Sequence, residues 1–268
     1  MAKDILEEIV ANKRIEVARQ KEAVPPTVLH QQVEQMLLSD LRPTLSMRQS
    51  LAQSASGIIA EFKRKSPSKG WIHADVRPED VVPFYAQNGA SALSILTDED
   101  YFGGQMRFVS RVRPSVPTTP ILRKDFIVDE YQLFQARQIG ADAVLLIAAD
   151  LTREECRSLA HTAHTLQLET LLEVHCEAEL DYVGDCIDMV GVNNRNLGTF
   201  HTDVSNSFRL ASLLPRDYLL VSESGISDPG TVRQLRQAGF RGFLIGETFM
   251  KTANPAQTLR QFIEEVER

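Results

Sequence analysis

Short apolar segments rich in Val, Ile and Leu recur along the chain at a nearly constant interval. Eight of them have the length of buried strands, at residues 57–63, 92–97, 120–126, 143–149, 169–174, 189–193, 218–222 and 242–246. One step from segment to segment takes about 26 residues, which is the size of a strand, a helix and two short loops. Most segments are continuously apolar and do not alternate, which is typical of strands covered on both faces in a parallel sheet.

Helical patterns with recognisable ends separate these segments. Thr152 and Glu155 have the spacing of a capping box, Gly140 can close the helix before it, and Pro229 and Pro255 can occupy first turns. Eight strand–helix repeats of this size favour a closed (β/α)₈ barrel, the TIM barrel, over an open doubly wound sheet.

The first 48 residues precede every predicted strand and form a separate helical pattern. Ile5, Leu6 and Ile9 lie on one face of an amphipathic helix that Pro25 and Pro26 end, and a second helix is expected around residues 28–38. We expect residues 1–48 to be a helical extension packed on the surface or rim of the barrel. Residues 1–268 then form a single (β/α)₈ barrel domain.

Composition and charge narrow the kind of partner. The chain has 268 residues and a net charge of −7 without a dense basic stripe, so we expect no nucleic-acid partner. Its longest apolar run, residues 143–149, is far shorter than a membrane-spanning helix, and its acidic N-terminus does not resemble a secretion signal. Three cysteines without CxxC spacing argue against a disulfide framework and a cysteine zinc site. We therefore expect a cytoplasmic protein that acts on a small molecule.

Polar residues cluster where the predicted strands end, which in a parallel barrel is the mouth where active sites form. In chain order these positions are Glu61, Lys63, Lys65, Ser66, Asp98, Lys124, Asp125, Glu173, His175, Asn193, Asn194, Arg195, Glu223, Ser224, Gly246 and Glu247. A single charge at a strand end is most often solvated. A mouth that receives two lysines and three glutamates would be costly as packing alone, and it can supply a general acid and a general base.

Glycine-containing turns follow the seventh and eighth predicted strands, at Ser224-Gly225 and Gly246-Glu247. Loops at these positions of a barrel commonly bind phosphate through backbone N–H groups. Ser66 can add a hydroxyl from the first loop. Because a carboxylate repels phosphate, we expect the side chain of Glu247 to turn away from this site.

Metal and nucleophile chemistry have weaker support. His161 and His164 lie three residues apart on a predicted helix without a further ligand at metal spacing, so we interpret them as surface or packing residues. No GxSxG nucleophile elbow occurs. Trp71 is expected either to line the mouth or to pack, and residues 63–74 are the candidate for a mobile lid.

Several motifs resemble those of one family, indole-3-glycerol phosphate synthase. They are IAEFKRKSPS (59–68), SILTD (94–98), YFGG (101–104), LRKDFI (122–127), LEV (172–174), GVNNRNL (191–197) and SESGI (222–226). The resemblance covers residues 57–250 and extends to the helical segment before the first strand. It implies closure of 1-(2-carboxyphenylamino)-1-deoxyribulose 5-phosphate to indole-3-glycerol phosphate, with loss of carbon dioxide and water and without cofactor or metal.

The resemblance also implies roles for individual residues. Lys124 would protonate the substrate carbonyl beside Glu173, and Glu61 and Lys63 would form the acid–base pair of the dehydration. The implied catalytic set is Glu61, Lys63, Lys124, Glu173, Asn193 and Glu223. Arg195 would bind the substrate, whose aromatic ring would lie against Pro67, Phe102, Phe126, Leu145, Ile147 and Leu197. The phosphate would bind at Ser66, Ser224, Gly225, Gly246 and Glu247.

Two positions depart from the family pattern, and two other functions remain open. Glu247 and Asn194 stand where many relatives have serine, which affects details of binding. A phosphosugar isomerase of similar barrel form, such as phosphoribosylanthranilate isomerase, is the enzymatic alternative, and a phosphate-binding scaffold is the non-enzymatic one. The sequence leaves open a monomer or a weak homodimer.

Overall fold

The computed structural model describes residues 5–39, 43–196, 201–215 and 217–268. Eight parallel strands close into a barrel in which neighbours in the chain are neighbours in space, and the last strand pairs with the first. They are β1 (Ile58–Phe62), β2 (Ala92–Leu96), β3 (Ile121–Lys124), β4 (Ala143–Ile147), β5 (Glu169–Val174), β6 (Met189–Asn193), β7 (Leu219–Glu223) and β8 (Phe240–Ile245). The predicted barrel is confirmed, and each strand lies within about two residues of its apolar segment.

Helices surround the barrel and precede it. They are α1 (Ile5–Ala23), α2 (Pro26–Ser39), α3 (Met47–Gln53), α4 (Val82–Gln87), α5 (Met106–Val112), α6 (Tyr131–Ile139), α7 (Arg153–Thr165), α8 (Ser205–Ala211), α9 (Pro229–Gln237), α10 (Glu247–Met250) and α11 (Pro255–Val266). A 3₁₀ helix, Glu177–Tyr182, follows β5, and a small hairpin, Lys65–Ser66 with Gly70–Trp71, follows β1. None of the helices in the described residues is both long and apolar enough to cross a membrane.

Local sequence sets several helix ends. Thr152 and Glu155 form the predicted capping box at the start of α7. Gly140 ends α6 with a φ of 99°, a left-handed conformation that glycine adopts without strain. Pro229 and Pro255 begin α9 and α11, where the side chains of Asp228 and Asn254 accept backbone hydrogen bonds.

Alternate residues of each strand enter two separate cores. Residues that face outward pack between the sheet and the surrounding helices, as Ile58, Ala60 and Phe62 do on β1. Residues that face inward fill the barrel interior; they include Ile59, Leu122, Leu145, Leu171, Val221 and Leu244. At the carboxyl ends of the strands the inward-facing residues are polar. The candidate site is therefore continuous with the inner core.

Three helices precede the first strand in the described residues. The two predicted ones, α1 and α2, are present, and Pro26 starts the second. The short α3 was not predicted because seven residues give too little periodicity. Its Met47 and Leu51 are fully buried and close the floor of the barrel against the inner core.

Candidate active site

Inward-facing residues at the carboxyl ends of five strands bring polar and ionisable groups together at the mouth of the barrel. Register pairs Leu96 with Lys124, Ile147 with Glu173, and Asn193 with Glu223. The implied catalytic, substrate-binding and phosphate-binding residues that the structure describes all line one cavity of about 480 Å³, a volume typical of a small-molecule site. Four other strand-end residues do not line it: Lys65, Asp98, His175 and Asn194. Leu197 was also predicted and lies outside the described residues.

Lys124 lies between two carboxylates. Its Nζ is 3.1 Å from Oε2 of Glu173 and 3.7 Å from Oε2 of Glu223. Burial alone would lower the pKa of Lys124, but Glu173, Glu223 and the nearby Glu61 outweigh it and raise the pKa above its ordinary value. The ammonium therefore stays protonated at neutral pH until a reaction changes its surroundings.

The two glutamates beside Lys124 hold protons differently. Burial would raise the pKa of Glu173, but Lys124, His175 and Asn193 reverse this and lower it. Burial raises the pKa of Glu223, and Glu173 and Glu61 add to that effect beyond what Lys124 offsets. One carboxylate is therefore ionised and its neighbour protonated near neutral pH, a division that suits acid–base chemistry.

A second ion pair lies across the mouth on β1. Nζ of Lys63 is 2.8 Å from Oε1 of Glu61. Two glycines leave room for the carboxylates: a Cβ on Gly246 would lie 2.5 Å from Oε1 of Glu61, and one on Gly191 would overlap the Glu223 carboxylate. A side chain at either position would therefore displace one of these carboxylates from its place in the site.

Asn193 and Arg195 connect this acid–base group to the loops. Nδ2 of Asn193 donates to Oε1 of Glu173 at 3.0 Å, and its Oδ1 accepts from the backbone N–H of Arg195. Nη1 of Arg195 donates to Oγ of Ser68 at 2.7 Å. The loop after β6 is therefore joined to the loop after β1 across the cavity.

One side of the cavity is apolar. Pro67, Phe102, Phe126, Leu145 and Ile147 line it, and the rings of Phe102 and Phe126 have centroids 5.9 Å apart. Among the lining residues that sequence reasoning missed are Ile5, Leu6 and Ile9 of α1. Their periodicity predicted a buried helix face but carried no information about what that face covers.

The opposite end of the cavity has the features of an anion site. Ser224 and Gly225 line this end and have positive φ values of 68° and 78°. The buried hydroxyl of Ser66 has no hydrogen-bond partner among the described residues. Lys69 and Lys251, which the sequence did not single out, also line the cavity.

The side chain of Glu247 forms an ion pair in the cavity lining. Its Oε1 lies 2.5 Å from Nζ of Lys69, and its orientation relative to a bound phosphate stays a prediction. Partial burial would raise the pKa of Glu247, but Lys69, Lys63 and Arg195 lower it. The carboxylate is thus held as an anion by the cations around it.

A buried ion cluster joins α1 to the mouth. Lys13 is 1% exposed, and its Nζ is 2.9 Å from Oδ2 of Asp98 and 3.0 Å from Oδ1 of Asp125. Asp98 accepts hydrogen bonds from the backbone of Tyr101 and Phe102. Sequence reasoning missed Lys13: it lies four residues from both Ile9 and Val17 on the buried face of α1, but the helix pattern carries no information about its acidic partners.

The other residues considered in the sequence analysis either lie outside the mouth or are hydrogen-bonded to neighbouring loops there. His164 contacts Asp188 at 2.8 Å on the outside of the barrel, and the part of the chain that the structure describes holds no group of three potential His, Cys, Asp or Glu metal ligands. The candidate lid forms the hairpin after β1, and Arg64 and Lys65 donate to the carbonyls of Gly103 and Asp100. Trp71 is 55% exposed and packs on Gly103. Closure of the lid stays a prediction.

A parallel eight-stranded barrel with an acid–base group and an anion end at its mouth defines a barrel enzyme for a phosphorylated small molecule. The family model of indole-3-glycerol phosphate synthase matches residues 6–262. A protein of that name from Bacteroides thetaiotaomicron is 60% identical over 99% of this chain and 100% of its own length, and one from a Polaromonas species is 41% identical over 96% and 97%. The chain belongs to the indole-3-glycerol phosphate synthase family.

Solved structures show the same fold at low identity. A 3-hexulose-6-phosphate synthase from Salmonella typhimurium has a TM-score of 0.62 at 14% identity, covering 78% of this chain and 98% of its own. A protein titled KGPDC from Streptococcus mutans has a TM-score of 0.60 at 13% identity, covering 79% and 97%. At such identities the likeness supports the barrel alone.

Proposed function

We propose that the chain closes 1-(2-carboxyphenylamino)-1-deoxyribulose 5-phosphate to indole-3-glycerol phosphate, releasing one carbon dioxide and one water, as a carbon–carbon lyase of tryptophan biosynthesis. The observation that carries the proposal is the position of Lys124. Its ammonium lies between Glu173 and Glu223 in a cavity with one apolar side and an anion end. Family membership supports the reaction, and this geometry supports the assignment of Lys124 as its acid.

The cavity can hold a bent substrate by its two ends. The aryl ring fits between the rings of Phe102 and Phe126 and the aliphatic side chains of Leu145 and Ile147, with Leu197 as a further proposed contact. The phosphate binds at the opposite end, to Ser66, Ser224, Gly225, Gly246 and the backbone of Glu247. Holding both ends brings the ring carbon that carries the carboxylate close to the ketone carbon.

Lys124 acts in the ring closure. As the ring carbon attacks the ketone, negative charge develops on the carbonyl oxygen, and the Lys124 ammonium donates a proton to it. Glu173, 3.1 Å from that ammonium, stabilises the positive charge of the resulting iminium and orients the lysine. The C–CO₂⁻ bond then breaks, and its electron pair restores the aromatic ring as carbon dioxide leaves.

Glu61 and Lys63 act in the dehydration. Their side chains pair at 2.8 Å at the carboxyl end of β1, so one can accept a proton while the other donates to the departing hydroxyl. Asn193, Arg195 and Glu223 hold the sugar hydroxyls and the aryl carboxylate. The raised pKa of Glu223 makes it a hydrogen-bond donor near neutral pH.

The proposed partner is this phosphorylated aryl-amino sugar alone, without cofactor, metal or nucleic acid. The bond formation, decarboxylation and dehydration steps need only proton donors and acceptors, which the chain has. We also propose that the protein acts in the cytoplasm as a monomer or weak homodimer. Cys156, Cys176 and Cys186 are free, which suits a reducing compartment.

Replacing Lys124 tests the assignment. We expect Lys124→Ala to lower turnover at least about 10²-fold, the lower end for loss of general acid catalysis, with an unchanged circular dichroism spectrum. Turnover is followed by the absorbance and fluorescence of the indole product. Lys21→Ala, which removes a partly exposed ammonium from α1, is the matched control.

Two results would overturn the proposal at different levels. Wild-type turnover in Lys124→Ala would remove this lysine from the mechanism. Absence of indole from the wild-type protein, with isomerisation of phosphoribosylanthranilate instead, would replace the reaction itself.

A further inference from the structure

His175 follows β5 at the mouth and lies behind Glu173. Its ring is 13% exposed and sits between two carboxylates, with Nε2 3.3 Å from Oε1 of Glu173 and Nδ1 3.5 Å from Oε2 of Glu179. Among the described residues, Glu173 lines the cavity and His175 does not. The histidine therefore reaches the site only through Glu173.

Glu173 has a cation on each of its two oxygens. Lys124 contacts Oε2 at 3.1 Å, whereas Oε1 faces the His175 ring and accepts from Nδ2 of Asn193 at 3.0 Å. The carboxylate is thus held on one edge by groups that stay in place and on the other by the proposed catalytic acid.

The position of His175 is fixed by two further elements. The backbone N–H of His175 donates to Oε2 of Glu179 on the 3₁₀ helix at 2.6 Å. Nδ2 of Asn206 on α8 donates to the carbonyl oxygens of His175 and Asn193. The same amide therefore sets the spacing between the two residues that hold Oε1 of Glu173.

The surroundings also set the charge of the ring. The charged groups that face it are Glu173 on β5 and Glu179 on the 3₁₀ helix, with Lys124 of β3 beyond Glu173, while α8 presents the neutral Asn206. Burial would lower the pKa of His175, but Glu173 and Glu179 raise it to about 10. The ring is an imidazolium over the neutral range.

We propose that His175 is a positioning residue for the reaction: its imidazolium fixes Oε1 of Glu173 from behind and leaves Oε2 aimed at Lys124. This inference rests on the proposed function. Without the imidazolium, Glu173 keeps one cation, Lys124, and the carboxylate can turn toward it. The acid would then be misplaced relative to the ketone, which slows chemistry without removing a substrate contact.

Kinetics of charge-changing variants test this role. We expect His175→Gln, which keeps a donor but loses the charge, to lower kcat on the order of 10-fold with KM within about twofold. His175→Lys, which restores a cation, should recover part of the loss. The matched control is His164→Gln, which removes a histidine paired with Asp188 near the other end of β5. Equal kcat in His175→Gln and the control would overturn the proposal.

A second variant, tested by the pH dependence of kcat, keeps the proposal testable if His175→Gln folds poorly. Glu179→Gln leaves His175 and Glu173 in place but removes one of the two carboxylates that raise the histidine pKa. The imidazolium is then lost at lower pH, so the alkaline decline of kcat should begin at lower pH than in the wild type. An unchanged alkaline limb would overturn the proposal.

Histidine NMR gives a readout that does not depend on turnover. In the wild-type protein the ¹⁵N-labelled ring of His175 should remain protonated at pH 8, where an unperturbed histidine with a pKa near 6.5 is neutral. Titration of His175 near 6.5 would refute the imidazolium. A wild type that makes no indole, with His175 still protonated, would instead refute the proposed function and not this charge state.

Discussion

Replacing Lys13 by methionine tests whether the N-terminal helix is fastened to the mouth by a buried ion cluster. Methionine keeps the length and apolar stem of lysine but removes the ammonium that contacts Asp98, Asp125 and Glu16 at 2.7 to 3.0 Å. Asp98 and Asp125, each about 1% exposed, would be left with less compensating charge in a place that water does not reach.

The structure sets the size of the effect. Removing one partner of a buried ion pair costs about 3–5 kcal/mol. Asp125 keeps Arg123 at 2.8 Å and Thr97 at 2.6 Å, and Asp98 keeps the backbone N–H of Tyr101. We therefore expect the lower end, about 3 kcal/mol, or a fall in Tm of roughly 6–9 °C for a chain of this size.

The pH of the measurement matters because the carboxylates raise the pKa of Lys13 above its ordinary 10.5, although burial opposes them. A raised lysine pKa contributes stability that is fully present below 10.5 and is lost as pH rises beyond it. The comparison is therefore made near pH 8, where the whole contribution is present.

Urea unfolding followed by far-UV circular dichroism measures the loss, and Lys21→Met is the control. Lys21 contacts Asp129 at 2.6 Å from the same helix, but both side chains are about one-third exposed, so its loss should cost at most about 1 kcal/mol. KM should rise in Lys13→Met alone, because Asp98 and Asp125 hold the backbone N–H groups of Phe102 and Phe126. Equal unfolding free energies in the two variants would refute the reasoning.

Two further variants probe the mouth. Burial raises the pKa of Glu223 above its ordinary 4.5, so the folded protein keeps a proton that the unfolded chain releases, and wild-type stability falls as pH rises above that value. The Tm of Glu223→Gln minus that of the wild type should therefore grow between pH 5 and pH 8, and a constant difference would contradict this. Glu247→Ser removes a carboxylate from the anion end of the cavity and leaves Lys69 without this partner. The inhibition constant of inorganic phosphate should therefore fall about fivefold, which is roughly 1 kcal/mol of binding free energy. An unchanged inhibition constant would show that Glu247 does not face the phosphate.

The strands and the residues at their ends were predictable because both depend on short stretches of sequence. Continuous apolar runs identify strands buried on both faces, and two-residue parity places Glu61 and Lys63 on the same face. The closed barrel then brings together Lys124, Glu173 and Glu223, which are far apart in the chain. Each inference needs only a local pattern and one general rule of barrel geometry.

Other contributions to the site depend on pairings that no local pattern records. Lys13 lies on the apolar face of α1, but a lysine can be buried there only because Asp98 and Asp125, which follow two later strands, pair with it. The position of His175 behind Glu173 depends likewise on Glu179 and Asn206, which belong to different elements. The ion pair of Glu247 with Lys69 joins the first and last loops of the barrel and could not be read from either.

The helix that closes the floor of the barrel has a consequence for synthesis on the ribosome. Residues 47–53 emerge before any strand, yet Leu51 packs beside Gly242 of β8, where even an added Cβ would lie only 3.2 Å from its Cδ1. At translation speeds of about 5–20 residues per second, roughly 10–40 s pass between the synthesis of α3 and the synthesis of β8. A helix made before any strand therefore reaches its final packing only after the last strand is made, and Met47 and Leu51 stay without their inner-core partners in the interval.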